Sequence, residues 1–296
     1  MKVLLTGASG QLGQAIINSL PIKVNLIKLF RNDLDLTDFK ACKKIVHTLK
    51  PDWVINAGAY TAVDKAESQP ELAFAINAGA PKAFAEALTD IGGSLLQIST
   101  DFVFNGNQGF PYKVNQPVNP LGVYGSTKAT GEKEALRCPH SYVIRTSWLY
   151  SSIGNNFLLT MLKLHASKAS LGDSLNVVSD QFSCPTSTYS LSLACWNAIG
   201  LKDSEQNNRI LHWCDAGVAS WYDFAVAIGE LGVEKGLLLR SAVVNPISTS
   251  QYPTPAKRPC FSLLDCMSSA KDLGLSQEHW RCGLAKVLEN LHASSC

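Results

Sequence analysis

Long apolar runs, paired-cysteine spacings and an excess of one charge are all missing from this 296-residue sequence. Without an apolar stretch of roughly 20 residues, no segment reads as a membrane-spanning helix. Lys and Arg number 26 against 24 Asp and Glu, a formal net charge of +2, so no basic face for nucleic-acid binding is expected. A local basic pocket for a phosphorylated ligand is still compatible with that balance. Cysteines occur at 42, 138, 184, 195, 214, 260, 266, 282 and 296. Their number is odd, and no CxxC or metal-ligand spacing occurs. That predicts reduced, mostly buried thiols and no metal. Glycines interrupt the apolar run of the opening MKVLLTGASG too early for a signal peptide, so the cytoplasm is the expected location. Internal repeats and low-complexity tracts are absent too. What remains is a globular composition, 46% hydrophobic and 17% charged, with enough chain for two domains.

The first half alternates strand and helix signals. Short apolar runs at 2–6, 24–30, 52–57, 94–99 and 142–146 read as buried strands. Helical patterns lie between them at 11–20, 38–49, 71–89 and 124–136, with Thr37 or Asp38 near one cap and Pro70 near the first turn of another. This alternation predicts an α/β fold, a doubly wound parallel sheet of Rossmann type with ligands at the carboxyl ends of its strands. Those ends are Thr6–Gly7, Phe30–Arg31, 57–61, 99–101 and Ser147–Trp148. The second half is less regular, with helices expected at 155–166, 187–199 and 221–230, a strand at 210–214, and a Pro-rich loop at 251–259. A second, smaller α/β substrate domain is expected from 151–171 and about 217–296. It is interleaved with returns within about 172–216 to a dinucleotide-binding domain at 1–150.

The loop Gly7-Ala8-Ser9-Gly10-Gln11-Leu12-Gly13 follows a strand and opens a helix. Glycines there permit a tight turn and close approach of a pyrophosphate to free N–H groups at the helix start. The spacing is GxxGxxG rather than GxGxxG, so alone it is weak, and its place after the first strand strengthens it. After the second strand stands Phe30-Arg31-Asn32, with no carboxylate at the tip to bind a ribose 2′-hydroxyl. Arg31 either pairs with the 2′-phosphate of NADPH or is a solvated surface residue, which leaves NADH open. Asp35 and Leu36 would line the adenine site.

Tyr124 and Lys128 form YxxxK on a predicted helix, one turn apart on one face. A free tyrosine titrates near 10. An adjacent ammonium favours the phenolate and is expected to lower that value. The tyrosine then donates a proton to a carbonyl oxygen as hydride reaches carbon. YxxxK alone is common. A hydroxyl at the end of the fourth strand, in Ser99-Thr100-Asp101, is what makes it specific, since it can hydrogen-bond the same oxygen.

Taken together, LLTGASGQLG, NAGAYTAVDKAE, STDFVFNG, NPLGVYGSTKATGE, IRTSWLY, GNNF, SDQFSCPT and YPTPAKRP run over nearly the full length, and the sequence resembles the extended short-chain dehydrogenase/reductase family. The resemblance implies reduction of the C4 ketone of a dTDP-linked 4-keto-6-deoxy sugar by a nicotinamide cofactor. It implies that Gly10, Gln11 and Leu12 bind the cofactor pyrophosphate and that Ala59, Tyr60 and Thr61 contact cofactor. Thr100 would be the catalytic hydroxyl, with Asp101 beside the sugar. Tyr124 would be the proton donor and Lys128 its partner on the nicotinamide ribose. Trp148 packs against either the sugar nucleotide or the core. GNNF, with Asn156, and YPTPAKRP would shape the nucleotide end of the site, where Arg258 meets the diphosphate or faces solvent.

The sequence departs from the family at several points. STDYVF is STDFVF here. Some members hold magnesium at a dimer interface through acids; the matching positions are Ala15 and Tyr189, with Glu289 remaining, so no metal is expected and the chain is a monomer or homodimer. An Arg common after YPTPAKRP is missing from Cys260-Phe261-Ser262-Leu263-Leu264. Two competing readings stay open. One is another nucleotide-sugar reductase or epimerase, for which bound NAD without net NADPH consumption is diagnostic. The other is a non-catalytic regulatory subunit resembling that of methionine adenosyltransferase, for which co-purification with a catalytic partner is diagnostic.

Overall fold

Apolar runs bounded by glycine or polar turns form the central strands, and amphipathic segments between them form the helices that cover the sheet. The computed structural model describes residues 1–201 and 209–293; Cys296 lies outside the described residues. The first half runs β1 (Lys2–Thr6), α1 (Gln11–Asn18), β2 (Asn25–Lys28), α2 (Phe39–Leu49), β3 (Trp53–Asn56), α3 (Val63–Ala66), α4 (Pro70–Phe74), α5 (Ala80–Ile91), β4 (Ser94–Thr100), α6 (Val123–Ala135) and β5 (Tyr142–Thr146). The second half adds β6 (Leu149–Tyr150), α7 (Phe157–Leu171), β7 (Leu175–Val178), β8 (Phe182–Ser183), β9 (Thr186–Ser187), α8 (Thr188–Ile199), β10 (Arg209–His212), β11 (Ala219–Ser220), α9 (Trp221–Glu234), β12 (Val244–Ile247), α10 (Met267–Leu273) and α11 (Trp280–Ala293).

Among the described residues the main sheet has six strands in the order β10-β5-β4-β3-β1-β2, all paired in parallel. Side chains alternate across it as a two-sided buried sheet requires. Leu4, Val54, Leu95 and Val143 face one helical layer with Phe84 and Leu88 of α5. Leu5, Ile55, Leu96 and Ile144 face the other, with Ile16 of α1 and Trp196 of α8. A third core, around Tyr150, Phe224, Trp280 and Leu284, underlies the second half and takes in Phe104 and Tyr112 from the first. Within the stretch 172–216, α8 packs on α1 and β10 joins the main sheet, whereas β7 pairs with β12.

Several expectations change in detail. The single helix expected at 71–89 is interrupted: α4 gives way to a π turn at Ala75–Gly79 before α5 begins. Pro81 explains the break, because it has no N–H to offer the carbonyl of Asn77 four residues back. The helix expected at 155–166 continues to Leu171, closed by Gly172 in the left-handed conformation. The helix expected at 221–230 reaches Glu234. Helices α10 and α11 carry no expectation from the sequence. Asp38 rather than Thr37 caps α2, accepting from the Ala41 N–H at 2.9 Å. The eight described cysteines are free, six of them buried. No helix among the described residues is long and apolar enough to cross a membrane.

Candidate active site

Strand order reverses at β1, whose neighbours are β2 on one side and β3 on the other. The chains leaving β1 and β3 therefore diverge and open a crevice at the carboxyl edge. Gly7 turns there with φ +65°, and a Cβ on it would lie 2.6 Å from the Gly58 nitrogen. A Cβ on Gly13 would lie 2.2 Å from the Gly7 carbonyl oxygen, so α1 packs directly on the loop. Gly10 caps α1 without any side-chain hydrogen bond, and the first turn carries no acid. This is a cradle of bare backbone and free N–H groups, which fits a pyrophosphate. A Gly7→Ala variant is expected to weaken cofactor binding at least tenfold in a fluorescence titration, and a left-handed alanine costs about 1–2 kcal/mol in addition.

Around this cradle the other sequence-nominated residues take varied places. Gln11 reaches away from the loop, its Nε2 donating to the Leu149 carbonyl, and Leu12 is buried in the core beneath α1. Arg31 is exposed. Asp35 closes a turn by accepting from the Thr37 N–H and hydroxyl, which hold its carboxyl below the usual range. Leu36 reaches the crevice, its Cδ1 2.7 Å from where a Cβ on Gly58 would sit. Ala59, Tyr60 and Thr61 follow Gly58 at the end of β3, and the Tyr60 N–H donates to Asn77 Oδ1 at 2.9 Å.

Thr100 ends β4, and α6 presents Tyr124 and Lys128 to that end. The Thr100 hydroxyl lies close enough to the Tyr124 phenol to bear on its ionisation. Thr100 also donates to Asp101 Oδ1 at 3.1 Å and accepts from the Phe102 N–H. The Phe102 ring meets Tyr124 edge-on at 5.9 Å. The expected lowering of the phenol by Lys128 is corrected here. Burial pushes Tyr124 up to about 12, with the Thr100 hydroxyl opposing and the Asp101 charge adding to the rise. Lys128 instead donates to the Ile98 carbonyl at 2.5 Å. Its own value falls to about 8 through burial, against the pull of Glu132.

Sequence reading missed what stands behind this group. Glu132, a further turn along α6, accepts from Ser99 Oγ at 2.5 Å. It also takes a fork from Arg145, with Nε at 2.9 Å and Nη2 at 2.8 Å. Ser99 and Arg145 are direct partners in the β4–β5 register, so both point at the same helix. Arg145 further contacts His212 Nε2 at 3.3 Å and stacks over Phe104. Burial first, and then the Arg145 charge, push His212 down to about 3, so the imidazole is neutral. Asn77, in the π turn, ties the end of β3 to α6 by donating to the Tyr60 carbonyl and to Thr127 Oγ1. The spacing YxxxKxxxE was a visible signal for Glu132; nothing local marked Asn77.

The residues nominated for substrate are each held by partners of their own. Asp101 is buried, and its second oxygen accepts from Ser262 at 2.5 Å and Ser183 at 3.3 Å. Burial raises it to about 6. Trp148 follows β5 with φ +44°, a strained conformation for a bulky residue, and its ring stacks on Trp221 with centroids 3.5 Å apart. Asn156 caps α7 and donates to Gln11 Oε1 and to the carbonyls of Ser151 and Ile153. Arg258 pairs with Asp64 at 2.8 Å. A crevice at Tyr124 is walled by Val63, Glu67, Phe102, Ala256 and Lys257. It shares Glu67, Leu121 and Gly122 with a cavity of about 650 Å³ on the outer side of α4. Of the positions matched to magnesium ligands, Ala15 offers no donor, Tyr189 is exposed and Glu289 pairs with Lys235.

Similarity to known proteins is spread over the whole length. A dTDP-4-dehydrorhamnose reductase of Salmonella typhimurium is 35% identical over 302 residues, covering 100% of this chain and 99% of its own. A crystal structure of a dTDP-4-dehydrorhamnose reductase from Clostridium acetobutylicum superposes with a TM-score of 0.88 at 39% identity, covering 98% and 99% of the two chains. The enzyme of that name from Bacillus anthracis, solved in complex with NADP, gives 0.87 at 29% identity over 98% and 99%. The match to the family described as the RmlD substrate binding domain runs over residues 1–293. With the glycine cradle, the hydroxyl at the end of β4 and the YxxxK helix all in place, the chain belongs to that family.

Proposed function

We propose that this protein reduces the C4 ketone of dTDP-6-deoxy-L-lyxo-4-hexulose (dTDP-4-dehydrorhamnose) to dTDP-L-rhamnose, with NADPH as reductant. The observation that carries the reading is the meeting of Thr100, Tyr124 and Lys128 at the end of β4, beside a backbone cradle suited to a dinucleotide. Relatives named for this activity match end to end. The nicotinamide cofactor, when bound, supplies the hydride. Tyr124, which burial keeps protonated, gives its proton to the ketone oxygen. Thr100, at the end of β4 beside Tyr124, offers a hydroxyl that stabilises negative charge developing on the same oxygen. Lys128 supplies positive charge beneath the reacting group. Gly7, Gly10, Gln11, Leu12, Gly13, Ala59, Tyr60 and Thr61 form the cofactor side, with Arg31, Asp35 and Leu36 toward its adenosine end. Asp101, Trp148, Asn156 and Arg258 form the substrate side. The cofactor residues fall in 1–150 and the substrate residues draw on both that part and the later segments, with the protein working in the cytoplasm as a monomer or homodimer.

The test is oxidation of NADPH and NADH with a panel of 4-keto-6-deoxy nucleotide sugars, followed by identification of the product. Turnover of the dTDP-linked 4-keto sugar to the L-rhamno product is expected, and consumption of neither cofactor with any member of the panel would defeat the reading. The same assay carries a pH expectation. Lys128 loses its proton as pH rises through about 8, and Tyr124 titrates far above that. kcat is therefore expected to hold through neutral pH and to decline above about 8, as a single ionisation.

A further inference from the structure

Two consecutive residues of β4 are gripped by two residues spaced four apart on α6. The Ile98 carbonyl accepts from Lys128, and Ser99 donates to Glu132. Residues four apart lie along one stripe of a helix, with Tyr124 one turn further back along it, so the two contacts act as a single seam. We propose that Glu132 is a positioning residue of the reductase site: anchored to Ser99 and Arg145, it fixes the register of α6 on β4 and keeps a negative charge beside the Lys128 ammonium. The proposal rests on the reductase reading for its kinetic consequences only.

Geometry and charge both support it. The Arg145 fork holds Glu132 in one orientation, while Arg145 itself is fixed by the β4–β5 register and by the Val114 carbonyl at 3.3 Å. All four members, Ser99, Lys128, Glu132 and Arg145, are buried, so water cannot substitute for any of these contacts. A buried ammonium bonded to one carbonyl is driven toward its neutral form by desolvation, and a fixed carboxylate one turn away opposes that. The titratable and charged groups around the stripe are Tyr124 and Glu132 on α6, Asp101 beyond the end of β4 and Arg145 on β5. Glu132 is the one among them whose charge acts on Lys128.

The experiment compares wild type with Glu132→Gln, Glu132→Asp and Ser99→Ala. The Lys128 ammonium is titrated by NMR of isotope-labelled lysine in the free protein, with Lys128→Arg assigning the signal. Glu132→Gln is expected to lower the titration midpoint by on the order of one pH unit. The alkaline limb of kcat should move down with it, while KM for the nucleotide sugar stays the same. Glu132→Asp should restore the midpoint but not the full kcat, because the shorter side chain keeps the charge and loses the double anchor. Ser99→Ala should leave the midpoint in place and lower kcat several-fold at every pH. An unchanged midpoint in folded Glu132→Gln overturns the electrostatic part. Wild-type kcat in Ser99→Ala overturns the register part, and that variant decides the matter if Glu132→Gln does not fold. The NMR titration uses no substrate, so a wild type inactive on every 4-keto sugar counts against the reductase reading and leaves the midpoints to judge Glu132.

Discussion

Replacing Tyr124 with Phe is expected to lower kcat by a factor of roughly 10²–10⁴ while leaving NADPH affinity within about twofold, since only the proton donor is lost. The ring remains to pack edge-on against Phe102, so the site keeps its shape. The hydroxyl removed lies beside Thr100, and even loss of a full hydrogen bond there costs only about 1 kcal/mol, too little to unfold a protein of this size. Stopped-flow measurement of NADPH oxidation, with a separate fluorescence titration of the cofactor, separates the two effects. A Phe variant with wild-type turnover would show that another group delivers the proton. Thr100→Val should act in the same direction with a smaller loss, because it removes a stabilising contact and not the proton itself.

The second large effect concerns stability. Arg145→Ala strips Glu132 of its fork and leaves a buried carboxylate with only the Ser99 hydroxyl. Breaking a buried pair from one side costs about 3–5 kcal/mol. For a chain of this length that corresponds to a fall in Tm on the order of 10 °C, measurable by calorimetry. The double replacement Glu132→Leu with Arg145→Met removes both charges and should regain most of that stability. Activity should not return with it, because an apolar pair cannot hold Ser99 or balance Lys128. Full recovery of both stability and kcat in the double variant would reduce the pair to packing. A Tm unchanged in Arg145→Ala would mean that solvent reaches Glu132, against its burial.

Much of the site is legible in the sequence. The strand ends named from apolar runs are where Gly7, Gly58, Thr100 and Trp148 stand, because a parallel βα unit always delivers its loops to the carboxyl edge of the sheet. Helix α6 was placed within a residue of its observed bounds. The long helix before β4 was misjudged at Pro81, whose consequence depends on whether a π turn can be stabilised. Here it is, since Asn77 spends its side chain on Tyr60 and Thr127, contacts across 17 and 50 residues of chain. The charge relation between Tyr124 and Lys128 was also misread. Helical spacing gives proximity along the helix but not the direction an ammonium takes when a carbonyl of the next strand lies closer.

By itself, the sequence determined the alternation of strands and helices, the glycine cradle at the first turn and the hydroxyl, phenol and ammonium of the reacting group. Each is written in local periodicity or in residues whose chemistry few others share. Tertiary structure alone decided how those groups are held. Ser99 and Arg145 lie 46 positions apart and meet because β4 and β5 pair in one register. Glu132 finds both because α6 crosses them there. Asp101, Ser183 and Ser262 join segments from both halves of the chain. Such contacts depend on the packing of whole elements, and the free energy of burying a charge or a hydroxyl exists only once the surrounding core has closed over it.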